Sequence, residues 1–130
     1  MKLYQQKENV NIIGIEVNTF PKGVKETFGT LIRILGGDRD FYGVSWMDEN
    51  GRVRYYAMAG ELFLNEGKRH NYELLTIEKG EYRTEAIHDW LKKTDCIKDV
   101  FHNLMGDNKP SKLHPCIEWY QSDMELVCMV

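Results

Sequence analysis

Apolar positions along the chain follow two periods, and the switch between them marks the elements. Residues 10–18 (Val-Asn-Ile-Ile-Gly-Ile-Glu-Val-Asn) are rich in β-branched side chains and predict a strand, with Gly14 marking a bend or a close approach. Pro21-Lys22-Gly23 ends it as a turn. Val24, Phe28, Leu31, Ile32 and Leu35 then recur at helical spacing, which predicts a helix over 24–35 with one apolar stripe against a sheet and Gly36-Gly37 as its stop. Strands are predicted at 41–47 and 52–59, joined through Asp48-Glu49-Asn50-Gly51. Gly60 to Asn71 is polar and reads as a connection, with Phe63 as its pin to the core. Further extended segments are Tyr72 to Ile77 and Glu81 to Ile87, separated by a Glu78-Lys79-Gly80 turn; Asp89-Trp90-Leu91 reads as a short helical turn. Asp95 is the candidate N-cap of a second amphipathic helix built on Ile97, Val100, Phe101 and Leu104 and stopped by Gly106. After a loop from Asp107 to Lys112, strands at Pro115–Tyr120 and Met124–Val130 flank a tight turn at Ser122-Asp123.

The order strand, helix, strand, turn, strand therefore occurs twice. Gly43-Val44-Ser45-Trp46-Met47 can be laid on Cys116-Ile117-Glu118-Trp119-Tyr120, and Tyr56-Ala57-Met58-Ala59 on Val127-Cys128-Met129-Val130. With 130 residues the chain is expected to be one domain, 1–130, with module one at about 8–60, a connection at about 61–71 and module two at about 72–130.

Composition narrows the function classes. The net charge is −3 with acids and bases interspersed, so no basic stripe argues for direct nucleic-acid binding. No apolar run reaches the roughly 18 residues of a membrane span, and no secretory signal is read at the N-terminus. Cys96, Cys116 and Cys128 are an odd set, which points to reduced thiols in a cytoplasmic protein. None lies in a Cys-x-x-Cys pair, His114-Pro115-Cys116 lacks a second ligand pair, and His70, His88 and His102 are scattered. No metal and no cofactor is expected.

The stretch that carries chemistry is Cys116-Ile117-Glu118-Trp119-Tyr120, an apolar strand with a carboxylate at its centre. Alternation places Cys116, Glu118 and Tyr120 on one face, and Ile117 and Trp119 on the other, under the helix. A two-residue loop at Ser122-Asp123 would pair Glu118 with Val127, Cys116 with Met129 and Trp119 with Leu126. An even-length loop around Asn50-Gly51 would likewise group Gly43, Ser45 and Met47 with Arg54, Tyr56 and Met58, and Trp46 with Tyr55. The face of Glu118 then gathers Tyr120, Cys116 and Met129, with Tyr56, Met58, Met47 and Ser45 as its counterparts. Two readings follow. Glu118 is a surface group on a solvated sheet face, or it lies in an aromatic and thioether-lined concavity suited to a flat or apolar cation.

Ile117-Glu118-Trp119-Tyr120 resembles the fE-x-Y signature of the GyrI-like small-molecule-binding domain. Ile77-Glu78-Lys79-Gly80-Glu81-Tyr82 resembles that family's iPaGkY strand, and Arg54-Tyr55-Tyr56-Ala57-Met58 its fRYdaci strand. Glu78 stands where the family often has proline, and Arg83-Thr84-Glu85 replaces the usual h-x-G. The resemblance spans roughly residues 8–130. It implies an α+β fold: two pseudo-symmetric strand–helix–strand–strand modules forming one curved antiparallel sheet, two helices on the convex face and a ligand groove on the concave face. It also implies that Glu118 faces a bound ligand with Tyr120 beside it.

Three functions are compatible with this reading. The first is a stand-alone effector-binding protein that acts in transcriptional regulation or a drug response; both long helices are claimed by the sheet, so no helix-turn-helix is expected. The ligand-binding set is Glu118, Tyr120, Tyr56, Met58, Ser45, Met47, Cys116 and Met129. The second is a hydrolase of strained electrophiles in which Glu118 is base or nucleophile and Tyr120 assists; His88, His102 and Trp90 are not assigned to the site. The third is a protein-binding factor like the gyrase inhibitor, with a protein as partner.

Overall fold

A computed structural model describes all 130 residues. Eight strands form one antiparallel sheet: β1 (Lys2–Gln6), β2 (Val10–Glu16), β3 (Phe41–Met47), β4 (Val53–Gly60), β5 (Glu73–Ile77), β6 (Gly80–His88), β7 (Cys116–Tyr120) and β8 (Glu125–Met129). Three helices accompany them: α1 (Val24–Leu35), α2 (Glu66–Arg69) and α3 (Ile97–Met105). No helix is long and apolar enough to cross a membrane.

The strand order is β1-β6-β8-β7-β3-β4-β2-β5. It reads the same from both ends once β2 is equated with β6, β3 with β7, β4 with β8 and β5 with β1. The unit β2-α1-β3-β4 is thus repeated as β6-α3-β7-β8, and the two units meet at the central β3/β7 pair. The strand ahead of each unit is exchanged: β1 pairs with β6 and β5 with β2. Only Glu78 and Lys79 link β5, at one edge, to β6, next to the other edge, so the sheet has to curl until its edges approach.

The curl divides the core. Inside it, on the concave face, Ile12, Tyr42, Val44, Trp46, Tyr56, Met58, Ile77, Ile117 and Met129 are buried without a helix over them. On the convex face α1 sets Val24, Phe28, Leu31 and Leu35 against Val17, Tyr55 and Ala57. There α3 sets Ile97, Val100, Phe101, Leu104 and Met105 against Ile87, Leu126 and Cys128. Both helices keep their apolar stripes, except that Ile32 at the margin of the α1 stripe is half exposed.

Several local features differ from the sequence reading. β1 is a strand whose Tyr4 packs against the core, which its short, Gln-rich pattern does not announce. Asp95 does not cap α3: it lies in a preceding 3₁₀ turn, Thr94–Cys96, and Cys96 is the N-cap residue without a side-chain bond. Phe63 does not pin the connection; it is 48% exposed, with the Arg69 guanidinium carbon 5.4 Å from its ring centroid. The pin is an ion pair of side chains only 6% and 5% exposed, Arg39 and Glu66, with Nη1 donating to Oε1 at 2.8 Å. Arg39 also donates to the Gly60 and Leu35 carbonyls, and the Leu62 N–H donates to Glu66. α1, β4 and the connection are thereby tied at one point.

The hairpin loops have odd lengths, and this changes the register. The Asp48 N–H donates to the Arg52 carbonyl, closing a three-residue loop; the Asp48 carboxylate accepts from Asn50 and Arg52, and Gly51 takes a φ of 75°. That left-handed position is the one a three-residue hairpin gives to glycine. The Gln121 N–H likewise donates to the Glu125 carbonyl, and Ser122 Oγ accepts from Met124 and Glu125. Glu118 therefore pairs with Cys128, Trp119 with Val127 and Ile117 with Met129. In the first unit Ser45 pairs with Tyr55, and Val44 with Tyr56. One residue of loop length moves a whole strand to the other face.

Candidate functional site

β7 is a central strand, held between β3 and β8. Its residue Glu118 sits opposite Gly43 on one side and Cys128 on the other. The side chain points to the convex face, into the gap between α1 and α3. Ile117 and Trp119 lie on the concave face, inside the curl. The expected placement is thus inverted: the carboxylate's face is the one under the helices.

Two hydroxyls converge on one oxygen of this carboxylate. Tyr55 Oη from β4 and Tyr120 Oη from β7 each donate to Glu118 Oε1 at 2.6 Å. Such short distances are typical of hydroxyl bonds to an ionised carboxylate. Oε2 accepts no hydrogen bond from the protein. Gly43 makes this convergence sterically feasible. A Cβ there would lie 2.1 Å from Tyr55 Oη and 2.2 Å from Glu118 Oε1, so only glycine fits opposite the acid.

Aromatic rings enclose the group. Phe20 stacks on Tyr55 with centroids 4.7 Å apart. Phe28 of α1 meets Tyr120 edge-on at 5.4 Å, and Trp90 meets it from the opposite helix side at 4.9 Å. Trp90 occupies a 3₁₀ turn, Trp90–Lys92, and its Nε1 donates to the Ser122 carbonyl at 3.1 Å. Below Tyr120 the Cys116 thiol donates to Met105 Sδ at 3.5 Å.

The electrostatics follow from this enclosure. Burial raises the Glu118 pKa above the ordinary carboxylate value, and the Tyr120 and Tyr55 hydrogen bonds offset part of that rise. Tyr55 and Tyr120 are themselves raised, first by burial and then by the Glu118 charge, so both stay protonated donors. Burial and the same charge push the Cys116 and Cys128 thiols up to about 12. No Lys, Arg or His forms an ion pair with Glu118. When ionised, it is a negative charge that no protein cation answers.

Of the residues selected from sequence, Glu118, Tyr120 and Cys116 come together as expected. Ser45 shares their face, opposite Cys116 and Tyr55, and Met47 lies further along the same side of β3. Tyr56, Met58 and Met129 do not join them; they are on the concave face, where Tyr56 stacks on Trp46 at 5.0 Å. His88 is exposed and pairs with Glu125, and His102 lies on the exposed side of α3. No cluster of three or more His, Cys, Asp and Glu side chains is arranged to hold a metal ion. The sequence reading missed Tyr55 and Phe28, and it placed Gly43 on the counterpart face without a role in the site. The signal for Tyr55 was present in Asp48 and Gly51, whose chemistry suits a three-residue loop and hence the opposite parity.

Two cavities open elsewhere. A groove of about 310 Å³ opens on the concave face between β5, β7 and the loop before β7. A wider one of about 760 Å³ adjoins it.

No protein-family model matches the sequence, and no curated protein is significantly similar to it. Solved structures share the fold. An integron cassette protein from the mobile metagenome of Vibrio cholerae superposes with a TM-score of 0.66 at 11% identity, covering 99% of this chain and 97% of its own. The protein SAV2435, solved bound to tetraphenylphosphonium, gives a TM-score of 0.66 at 16% identity, with 99% and 92% covered. A Staphylococcus aureus protein with a candidate role in transcription regulation gives 0.57 at 15% identity, with 99% and 96% covered. At these identities the likeness establishes a shared architecture, an α+β fold of one curled antiparallel sheet carrying helices, and leaves activity to be argued from the site.

Proposed function

We propose that the chain is a small-molecule-binding protein of the GyrI-like kind. It takes an apolar, partly aromatic cation between α1 and α3, over Glu118, and serves as a sensor or sequestering protein in a regulatory or xenobiotic response. The observation that carries this reading is the Glu118 carboxylate itself. It is held by two tyrosine hydroxyls, walled by aromatic rings and left without a cationic partner. A site that has already desolvated its acid favours a weakly hydrated cation with ring surface to stack. Tyr55, Tyr120, Phe28 and Trp90 would supply stacking faces, with Ser45, Met47 and Cys116 at the margin. SAV2435, which shares this architecture, is solved bound to tetraphenylphosphonium, and that supports the reading.

Binding is favoured over hydrolysis by the same geometry. Both hydroxyls lie on Oε1 and their pKa values are raised, which makes them stabilisers of an anion rather than proton donors in turnover. No histidine or second carboxylate faces Glu118. The test is calorimetric titration with tetraphenylphosphonium at pH 8, for the native chain and Glu118→Gln. The expected result is at least a tenfold loss of affinity in the variant, with binding of neutral triphenylmethane-type analogues spared. Equal affinity of the two proteins for the cation overturns the reading.

A further inference from the structure

The concave face carries chemistry opposite in sign to the Glu118 site. The groove of about 310 Å³ is walled by Ile12, Val44, Trp46, Leu75, Ile77 and Ile117, and Lys112 is the one charged residue among those lining it. Lys112 also lines the adjoining opening, whose rim adds Lys79, Arg83, Lys109 and His114 against Glu78 and Glu81. None of these basic side chains is engaged in an ion pair. A chain with a net charge of −3 thus concentrates unpaired positive charge at the mouth of an aliphatic groove. Leu113 at that mouth is 84% exposed although it lines the groove. Its apolar surface faces water unless something covers it. The groove's only aromatic ring, Trp46, is already stacked on Tyr56, so its free walls are aliphatic.

We propose that this groove is a second binding site, specific for an alkyl-chain anion. The chain lies among Ile12, Val44, Ile77 and Ile117, and the anionic head meets Lys112, with Lys79 and Lys109 in the surrounding field. Leu113 closes over the chain. The volume is at the lower end of small-ligand sites, which suits a medium-length chain. Charge complementarity selects the head: one cation at the junction of an apolar and a basic cavity accepts an anion there and repels a cation. The site is independent of Glu118, which lies on the other face of the sheet.

The test uses the full chain and four ten-carbon probes below their micelle concentrations: decanoate, decyl phosphate, decanol and decyltrimethylammonium. Calorimetry is expected to show the anions binding at least tenfold tighter than the alcohol or the ammonium. The tighter of the two anions identifies the head as carboxylate or phosphate. Octanoate should bind roughly tenfold more weakly than decanoate, as the loss of two buried methylenes requires. Lys112→Glu, at an exposed position that leaves the core intact, should weaken decanoate at least tenfold and leave tetraphenylphosphonium binding unchanged. The proposal is overturned if the ammonium or the alcohol binds as tightly as decanoate, if Lys112→Glu has no effect, or if decanoate displaces tetraphenylphosphonium. The last outcome would place both ligands at Glu118.

Discussion

Replacing Glu118 with Gln keeps the shape of the site and removes its charge, so the pH dependence of stability isolates what the enclosure does to that charge. In the folded protein the Glu118 pKa is raised, burial outweighing the hydrogen bonds from Tyr120 and Tyr55. In the unfolded chain it titrates near the ordinary value of about 4.3. Below that value both states are protonated and the group contributes nothing to pH dependence. Between the two values the folded protein holds more protons than the unfolded chain, so stability falls as pH rises. Above the folded value the loss is complete. The slope for one group is at most about 1.4 kcal/mol per pH unit, and the total is about 1.4 kcal/mol for each unit of elevation.

The Gln variant lacks this term. Its Tyr55 and Tyr120 bonds become neutral ones, dropping from about 1.5–3 kcal/mol each to about 1, but it no longer holds an ion out of water. The raised pKa says that the desolvation exceeds the bonds. Urea denaturation of both proteins from pH 4 to pH 8 should therefore show the variant gaining on the native chain as pH rises, with a slope of at most about 1.4 kcal/mol per pH unit. Other titrating groups cancel in the difference. A difference that is flat, or that favours the native chain increasingly with pH, refutes the reasoning. A bound cation reverses the sign. Tetraphenylphosphonium affinity should rise with pH over the same window, by at most tenfold per unit, and be flat in the variant.

Other predictions test the supports. Gly43→Ala puts a Cβ where Tyr55 Oη and Glu118 Oε1 already lie, 2.1 and 2.2 Å away, and should cost about 1–3 kcal/mol of overpacking and abolish cation binding, read by urea midpoint and calorimetry. Arg39→Met leaves the buried Glu66 without its partner and should destabilise by about 3–5 kcal/mol in chemical denaturation. The Arg39 hydrogen bond holds Glu66 below the ordinary carboxylate value, so in the native chain this contribution is present above that value and lost as pH falls through the folded one. The Tyr72 hydroxyl is buried without a hydrogen-bond partner, so Tyr72→Phe should raise stability by about 1 kcal/mol, seen as a higher thermal midpoint.

Much of the fold is visible in residue spacing because local physics decides it. α1 begins at Val24 and ends at Leu35 where the apolar stripe between two glycines says it should, and β3 occupies 41–47 as its alternation requires. What alternation cannot supply is which strand residue faces which across a loop. Glu118, Cys116 and Tyr120 share one strand, so their common face is fixed by the pleat. Tyr55 reaches Glu118 through two strand pairings and the Asp48–Arg52 loop, and an error of one residue there exchanges Tyr55 for Tyr56. The same slip at Ser122–Met124 exchanges Cys128 for Val127 and Met129. The side of the sheet carrying the helices is also a global property. Trp119 and Tyr42 are as apolar as any helix-covered pair, yet they stack inside the curl at 6.3 Å. The Arg39–Glu66 pin left no signal at all, because its partners are 27 residues apart and each looks like a surface charge.

The duplicated frame explains why the site is built on one side of its own pseudo-symmetry. Ser45 and Glu118 each stand three residues before the residue that closes their hairpin, Asp48 and Gln121, and Tyr55 and Cys128 three after the residues that close it from the other side. The hairpins therefore equate Ser45 with Glu118, Tyr55 with Cys128, and Tyr56 with Met129 rather than with Val127. β3 is small where β7 is functional: Gly43 faces Glu118 and Ser45 faces Cys116 across the central pair. An acid at position 45 would bring a second charge into the same gap between α1 and α3, and like charges that close cannot both ionise. A side chain at 43 would expel the hydroxyl that Glu118 needs. One unit of the repeat has been emptied to make room, and it lends the other its Tyr55 as a donor. The charge of the site is thus confined to β7, while the room for its carboxylate and half of its hydrogen bonding come from β3 and β4. Restoring symmetry with Ser45→Glu should raise the pKa of Glu118 further and weaken, not double, the affinity for a monovalent cation at neutral pH. Titration calorimetry at pH 7 measures this directly, and an unchanged or tighter Kd would show that the gap holds two carboxylates independently.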